Sequence, residues 1–462
     1  MSNLFAKKDV NKLLEENAAK ESTKTLGLFD VILMGVGATI GTGVLVIAGL
    51  VAARDAGPSV SISFVISAVA CILVALCYAE FGSAIPSSGG AYTYIYVSLG
   101  KFVAHLIGWS IVGCYTVSLA SVAGGWSSYV NNVLTEFGIR LPESFTAIPS
   151  DGGIINLPAV FIVLCMSFLL TRGVKESKKI NNLMVLIKIG IVLLFVAVGV
   201  FFIHTNNWHP FTPFGVKGIF AGAASVFFAY NGFDAISTSA EEVKNPQRNL
   251  PLGILIALSV CAVIYVVIAL VLTGMVSYKE LNVGDALSYA LNSVGQEWAA
   301  LIVSIGAVIG IMAVVFAYLF VVPRILMSMS HDGLLPSLFA KVNRKNSEPV
   351  ISTWLVGALG AVVAGFVDLK QLADLANMLA IVTFAAVSFS ILALRKTQPN
   401  LKRGFKVPFV PFIPIIAILC CIFLMFNLSM KTWMYSIGWM LIGVFIYVGY
   451  GRNKKSVYQK RL

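Results

Sequence analysis

Charge is what this chain has least of. Asp, Glu, Lys and Arg make up 12% of its 462 residues, about half the ~25% usual in soluble domains. With 58% apolar residues and a mean hydropathy of +0.88, that deficit excludes intrinsic disorder and a water-soluble enzyme. Histidine is scarce, and neither His204 nor His209 has metal-ligand company. The seven cysteines (Cys71, Cys77, Cys114, Cys165, Cys261, Cys420, Cys421) all lie in apolar runs and read as small packing residues, not as a disulfide framework or metal site. No Walker loop and no large polar insert breaks the apolar pattern, so a nucleotide-driven pump is excluded and no cofactor is expected. The N-terminus, MSNLFAKKDVNKLLEENAAKESTK, is a polar tail without the short apolar core of a signal peptide.

What is present is apolar sequence in span-length pieces. A hydrocarbon core about 30 Å thick needs about 20 apolar residues as helix. Twelve segments qualify: about 28–52, 58–84, 97–130, 153–171, 180–204, 215–241, 250–276, 297–327, 350–366, 372–395, 406–427 and 431–451. Unbroken runs such as IGIVLLFVAVGVFFI exclude the alternating strands of a β-barrel. The expectation is an all-α integral membrane protein with one transporter domain over 27–451, a cytoplasmic tail over 1–26 and a basic tail over 452–462.

The net charge of +12 reflects topology, not nucleic-acid binding. Twenty-six of the 33 Lys and Arg residues fall in loops on the side of the N-terminus, and six on the other side: Arg54, Arg140, Lys217, Lys279, Lys370 and Lys431. By the positive-inside rule both termini are cytoplasmic. Trp126, Trp208, Trp298 and Trp433 then fall near outer helix ends, as an interfacial aromatic belt does.

Two segments are not plain helix. The first reads GVGATIGTGVLV, with Gly35, Gly37, Gly41 and Gly43 in nine residues; the sixth reads SVFFAYNGFDAISTSAEE. Glycine clusters in spans also permit close helix packing, but spacings of two as well as four do not line one face. Paired interruptions five helices apart point to a transporter site built on broken helices, since opened backbone at membrane depth is tolerated only against a cavity or ligand. The N–H groups of Gly41, Thr42 and Gly43 suit a carboxylate. The carbonyls of Thr39, Ile40, Phe228, Ala229 and Asn231 suit a protonated α-amine.

The stretch FFAYNGFDAISTSAEEVKNPQRNLPLGI closely resembles the sixth-helix signature of the cationic amino acid transporter family, in the amino acid–polyamine–organocation superfamily. GATIGTG, YAEFGSAIPSSGGAYTY, RILMSMSHDGLLP and RKTQPNLKRGFKVPFVPFIPI extend the resemblance over about residues 27–430. It implies a five-plus-five inverted repeat (about 27–204 and 215–395) followed by two extra helices (about 406–451). It also implies amino acid uptake, commonly proton-coupled; bacterial relatives of this type include branched-chain amino acid permeases. Two positions depart from the pattern. Asn231 stands where relatives usually carry a bulky aliphatic residue, and Cys114, before Tyr115, stands where the family places glutamate. Losing that acid weakens the case for a cationic substrate, because a charge at depth needs a counter-charge.

Few ionisable residues lie within spans. Lys188 sits in LMVLIKIGIVLLF, about 12 Å into the apolar layer, and resembles the lysine of proton-coupled relatives. Its ammonium is expected near the carbonyls of Gly37 and Ala38. Asp234 reads as a helix cap, gate or substrate contact. Glu80, Glu241 and Glu242 read as interfacial or gate residues, His105 as packing, and Arg324 and Asp332 as loop anchors. Further pocket or gate candidates are Cys114, Tyr115, Phe233, Ile311, Met312 and Met378. The eighth segment offers only Ser304 and Tyr318 as hydroxyls, with no adjacent pair to hold a hard cation. A channel filter and a catalytic dyad are both missing. The function expected is proton-coupled uptake of neutral, branched-chain or other aliphatic amino acids. Cationic amino acid uptake using Asp234 and ion-independent exchange stay open as alternatives.

Overall fold

The computed structural model describes residues 6–10, 13, 15, 25–87, 89–173, 178–343 and 348–451. Most of the N-terminal tail and the basic tail from residue 452 lie outside the described residues, as do Lys175, Arg344 and Lys345 among the counted basic side chains. Among the described residues the chain is helical, with no strand longer than an isolated bridge.

The helices in chain order are α1 (Leu28–Thr39), α2 (Ala48–Val51), α3 (Val60–Ala84), α4 (Gly90–Ser98), α5 (Lys101–Glu136), α6 (Leu157–Thr171), α7 (Lys178–Gly199) and α8 (Gly215–Val226). They continue as α9 (Ala235–Thr238), α10 (Pro246–Met275), α11 (Ala286–Ser293), α12 (Glu297–His331), α13 (Val350–Phe366), α14 (Leu369–Thr397), α15 (Phe412–Phe426) and α16 (Met430–Ile446). Among the described residues, eight helical stretches are long and apolar enough to cross a membrane, and α1, α6, α13 and α15 are shorter apolar helices. Each of the twelve apolar sequence segments contains helix.

Boundaries move where local chemistry decides them. Helix α6 starts at Leu157 rather than 153, because Asn156 caps it by accepting the Ala159 N–H at 3.2 Å and Pro158 occupies the first turn. The segment expected from 406 begins as helix only at Phe412. Pro408 and Pro411 remove N–H donors there, and Phe409 holds a left-handed φ of 46°. Two short helices, α4 and α11, lie where the sequence reads as connecting loop.

Helix α12 packs along α5, α10 along α3, and α14 against α5 and α15. The interior is lined with small residues and aromatics: Phe64, Tyr230 and Tyr265 form one cluster, and Tyr78, Phe233 and Phe384 another. Large apolar side chains point outward on α15 and α16, including Leu419, Phe426, Ile437 and Phe445. In water that surface would drive aggregation; in hydrocarbon it is the matching solvent. Trp109 and Trp439 stack at 4.6 Å, and each indole N–H donates to the other's backbone carbonyl, joining α16 to α5.

Several buried charges are paired. Glu80 is fully buried on α3, and Arg395, Arg403 and the Val407 N–H all converge on its carboxylate. This pins the 398–411 connection to α3, so Glu80 is a structural anchor. Arg324 pairs with Glu348 at 2.8 Å, and Asp332 with Lys8 at 2.6 Å. His105 is buried against the Gly443 carbonyl at 2.9 Å.

Candidate functional site

The first broken helix is an accounting problem for backbone hydrogen bonds. Helix α1 stops at Thr39, and Ile40 is extended (φ −73°, ψ 103°). Helix restarts at Gly43 as one wide turn, with Thr42 before it. The opening N–H groups of a helix have no preceding turn to bond, and those of this restart fall at Gly41–Gly43; none of the three lines either cavity beside Tyr115. The second break mirrors it. Helix α8 ends at Val226, tightens over Phe227–Tyr230, opens through Asn231–Asp234 and resumes as α9.

Glycine lets the two breaks touch. A β-carbon on Gly43 would overlap the Ala229 backbone, and one on Gly37 would overlap the Val185 side chain. Gly232 has φ 115° and lies so close to Ala38 that a β-carbon would sit 2.6 Å from its carbonyl oxygen. Gly41 differs: its β-carbon would meet Val314 at 3.4 Å, so packing alone does not demand glycine there.

The freed carbonyls are met by three side chains. The Tyr265 hydroxyl, on α10, lies 2.7 Å from the Thr39 carbonyl and 3.0 Å from the Ala229 carbonyl, shared between the two breaks. The Asn377 amide on α14 donates to the carbonyls of Ala224 and Ser225 at 2.9 Å each, capping α8. Lys188, 2% exposed, donates from Nζ to the Gly37 carbonyl at 2.8 Å. Phe228 O accepts the Asn231 N–H at 3.1 Å. Of the carbonyls singled out in the sequence, Thr39, Phe228 and Ala229 therefore already hold a protein donor. Tyr265 and Asn377 carry no signal in the sequence, each being a lone polar residue in an ordinary apolar span.

Asp234 is buried and accepts the Tyr115 hydroxyl at 2.7 Å. The Tyr115 ring stacks on Tyr318, with centroids 5.3 Å apart. Asn231 donates to Asn377 at 3.3 Å, while its own Oδ1 and the Thr42 hydroxyl are buried without a partner among the described residues.

Tyr115 divides two spaces. On one side a cavity of about 420 Å³ runs from Leu26 and Asp30 at the start of α1, past Gly37 and Lys188, to Val314 and Tyr318 on α12. On the other is a chamber of about 10 Å³ among Cys114, Asn231, Asp234, Thr383 and Phe384, about the room one water needs. Of the remaining sequence candidates, Phe233 belongs to the aromatic core and Ile311, Met312 and Met378 line neither space. Ser304 is drawn away from the breaks into a cluster with Ser288 and Asn132. No group of three or more possible metal ligands occurs among the described residues.

Set beside known proteins, residues 26–450 match the family model described as amino acid permease. This chain belongs to the amino acid permease family. It is 47% identical to the methylthioribose transporter of Bacillus subtilis (strain 168), over 98% of this chain and 99% of that protein. It is 42% identical to the branched-chain amino acid permease BcaP of the same organism, over 99% of both. Similarity to the vacuolar cationic amino acid transporter 4 of Arabidopsis thaliana is 36%, over 87% of this chain and 68% of that one. These relatives are transporters and permeases, not enzymes, and the chain is a multi-pass membrane transporter of that kind.

Proposed function

We propose that this permease imports neutral amino acids, branched-chain ones among them, together with a proton. It works by alternating access, on twelve spans with a five-plus-five inverted repeat and both termini in the cytoplasm. The observation that carries the reading is the Lys188 ammonium on the Gly37 carbonyl. A buried lysine is a group that holds or releases a proton, and here it bonds the backbone of the broken first helix. The substrate carboxylate would sit on the N–H groups of Gly41–Gly43 and its amine on the carbonyls across the gap. The 420 Å³ cavity beside Lys188 fits a cytoplasm-facing state in which proton and substrate leave together.

Kinship to the branched-chain permease and the absence of an acid at Cys114 support a neutral side chain. Competition for uptake into vesicles tests this across the standard amino acids: leucine outcompeting arginine supports it. Arginine competing best, with that preference lost in Asp234→Asn, would establish the cationic alternative.

A second reading has its own observation. Asp234, Asn231 and Thr383 converge on one small chamber, and a carboxylate beside an amide is suited to accept sugar hydroxyls. Widened from the one-water space it encloses here, that chamber would suit a thioether sugar of the kind the 47% relative is named for. Unlabelled methylthioribose in the same competition assay separates the two.

A further inference from the structure

A cleft larger than the cavity at the broken helices lies elsewhere in the fold. It measures about 760 Å³ and opens between the start of α5, the second half of α14 and the middle of α15. Its walls include Leu99 and Val103 on one side, Ala386 and Phe389 on α14, and Ile418 on α15. Alanines recess its floor, while Phe389, 53% exposed, stands as its rim. The cleft has room for dozens of waters, yet its walls offer water almost no partner. An extended peptide backbone would likewise leave its N–H and C=O groups unmet there. The occupant has to be apolar along its length.

One charged group stands at the mouth. Lys7 is exposed and lines the cleft, and no carboxylate among the described residues pairs with it. Its neighbours fix where it stands. The Lys101 N–H donates to the Ala6 carbonyl at 2.9 Å. Lys8 turns the other way, pairing with Asp332 and lying over the rings of Tyr92 and Tyr96. The chain is thus tacked down on both sides of Lys7, whose ammonium is left at the apolar cleft.

We infer that this cleft binds an anionic phospholipid of the cytoplasmic leaflet, one acyl chain between α14 and α15 and the phosphate on Lys7. The leaflet follows from the orientation proposed above; the lipid chemistry does not depend on what is transported. Basic residues near a membrane surface attract anionic headgroups, each by about a fivefold gain in affinity.

The test is lipid retention, read without transport. Full-length protein is taken from vesicles of equal phosphatidylglycerol and phosphatidylcholine, and the lipid it keeps is measured by native mass spectrometry. Wild-type protein should retain phosphatidylglycerol preferentially. Lys7→Gln, an exposed change that leaves the fold alone, should cut that preference about fivefold. Ala386→Phe should reduce retention of both lipids by filling the floor, and Lys431→Gln, on the far side, should change nothing. Equal retention of the two lipids, an unchanged preference in Lys7→Gln, or a co-purifying peptide in the cleft would overturn the proposal. Should Ala386→Phe not fold, Lys7→Gln alone decides.

Discussion

Replacing Lys188 separates coupling from binding. Its stem is packed: a β-carbon on Gly310 would lie 2.7 Å from the Lys188 Cγ, so alanine would leave a hole. Lys188→Met fills that space and removes only the ammonium. With it goes the charged donor on the Gly37 carbonyl at 2.8 Å, a hydrogen bond worth about 1.5–3 kcal/mol. Such an energy biases a two-state equilibrium about 10- to 150-fold. The driving force is calculable separately. One pH unit stores about 1.4 kcal/mol per proton, so a two-unit gradient with one proton per substrate supports about hundredfold accumulation at zero membrane potential. Reconstituted vesicles with sodium replaced by choline give the readout. Wild-type protein should concentrate leucine toward that ceiling, and Lys188→Met should stop at equal concentrations inside and out while still exchanging labelled for unlabelled leucine. If Lys188→Met still concentrates leucine, or if the wild type needs sodium, the role assigned to Lys188 is wrong.

Other changes have equally definite outcomes. Gly43→Val drives a side chain into the Ala229 backbone; the protein should insert but show no thermal stabilisation by leucine, and normal stabilisation would refute the packing argument. Tyr265→Phe removes a donor shared by Thr39 and Ala229. It should cost about 1–3 kcal/mol, seen as a lower midpoint of thermal unfolding in detergent, and an unchanged midpoint counts against it. Asp285, in the connection between α10 and α11, has its carboxyl pushed up to about 6, first by burial, with the Asn132 amide at 3.0 Å opposing. The folded state holds that proton more tightly than the unfolded one, so stability falls as pH rises from about 4 through about 6. Asp285→Asn should flatten the decline in that window, and an identical pH profile would refute it.

An all-helical membrane fold and the placement of its apolar helices were legible because hydropathy has a length scale: about 20 apolar residues per span. The interruptions at Ile40–Thr42 and Phe227–Asp234 were legible because glycine density and polar residues depart from that background. What sequence could not give is pairing across the chain. Tyr265 lies 226 residues from Thr39 and Asn377 lies 153 from Ala224; neither position looks unusual in its own helix. Glu80 reads as interfacial because it stands near a span end, yet it is fully buried, since Arg395 and Arg403 arrive from more than three hundred residues away. Helix α4 is hidden by the SSGG before it, which reads as loop until Tyr92 and Tyr94 bury themselves.

Under the proposed alternating access, satisfied and unsatisfied groups around the breaks together set how the permease would hold its two states. A helix opened in hydrocarbon costs several kcal/mol per unmet backbone group, so an empty carrier needs protein donors as stand-ins. Tyr265 and Asn377 come from α10 and α14, which pack against α1 and α8, and they meet carbonyls with no substrate present. Lys188 also meets a carbonyl, but its hold can change with its proton. The two groups left over, the Thr42 hydroxyl and Asn231 Oδ1, sit one on each broken segment. An unpartnered buried polar atom is a cost that a ligand's own donors and acceptors can remove. On the proposed mechanism, the protein's own donors keep the breaks open, the lysine makes one contact conditional on a proton, and the unmet pair gives substrate a reason to bind between them.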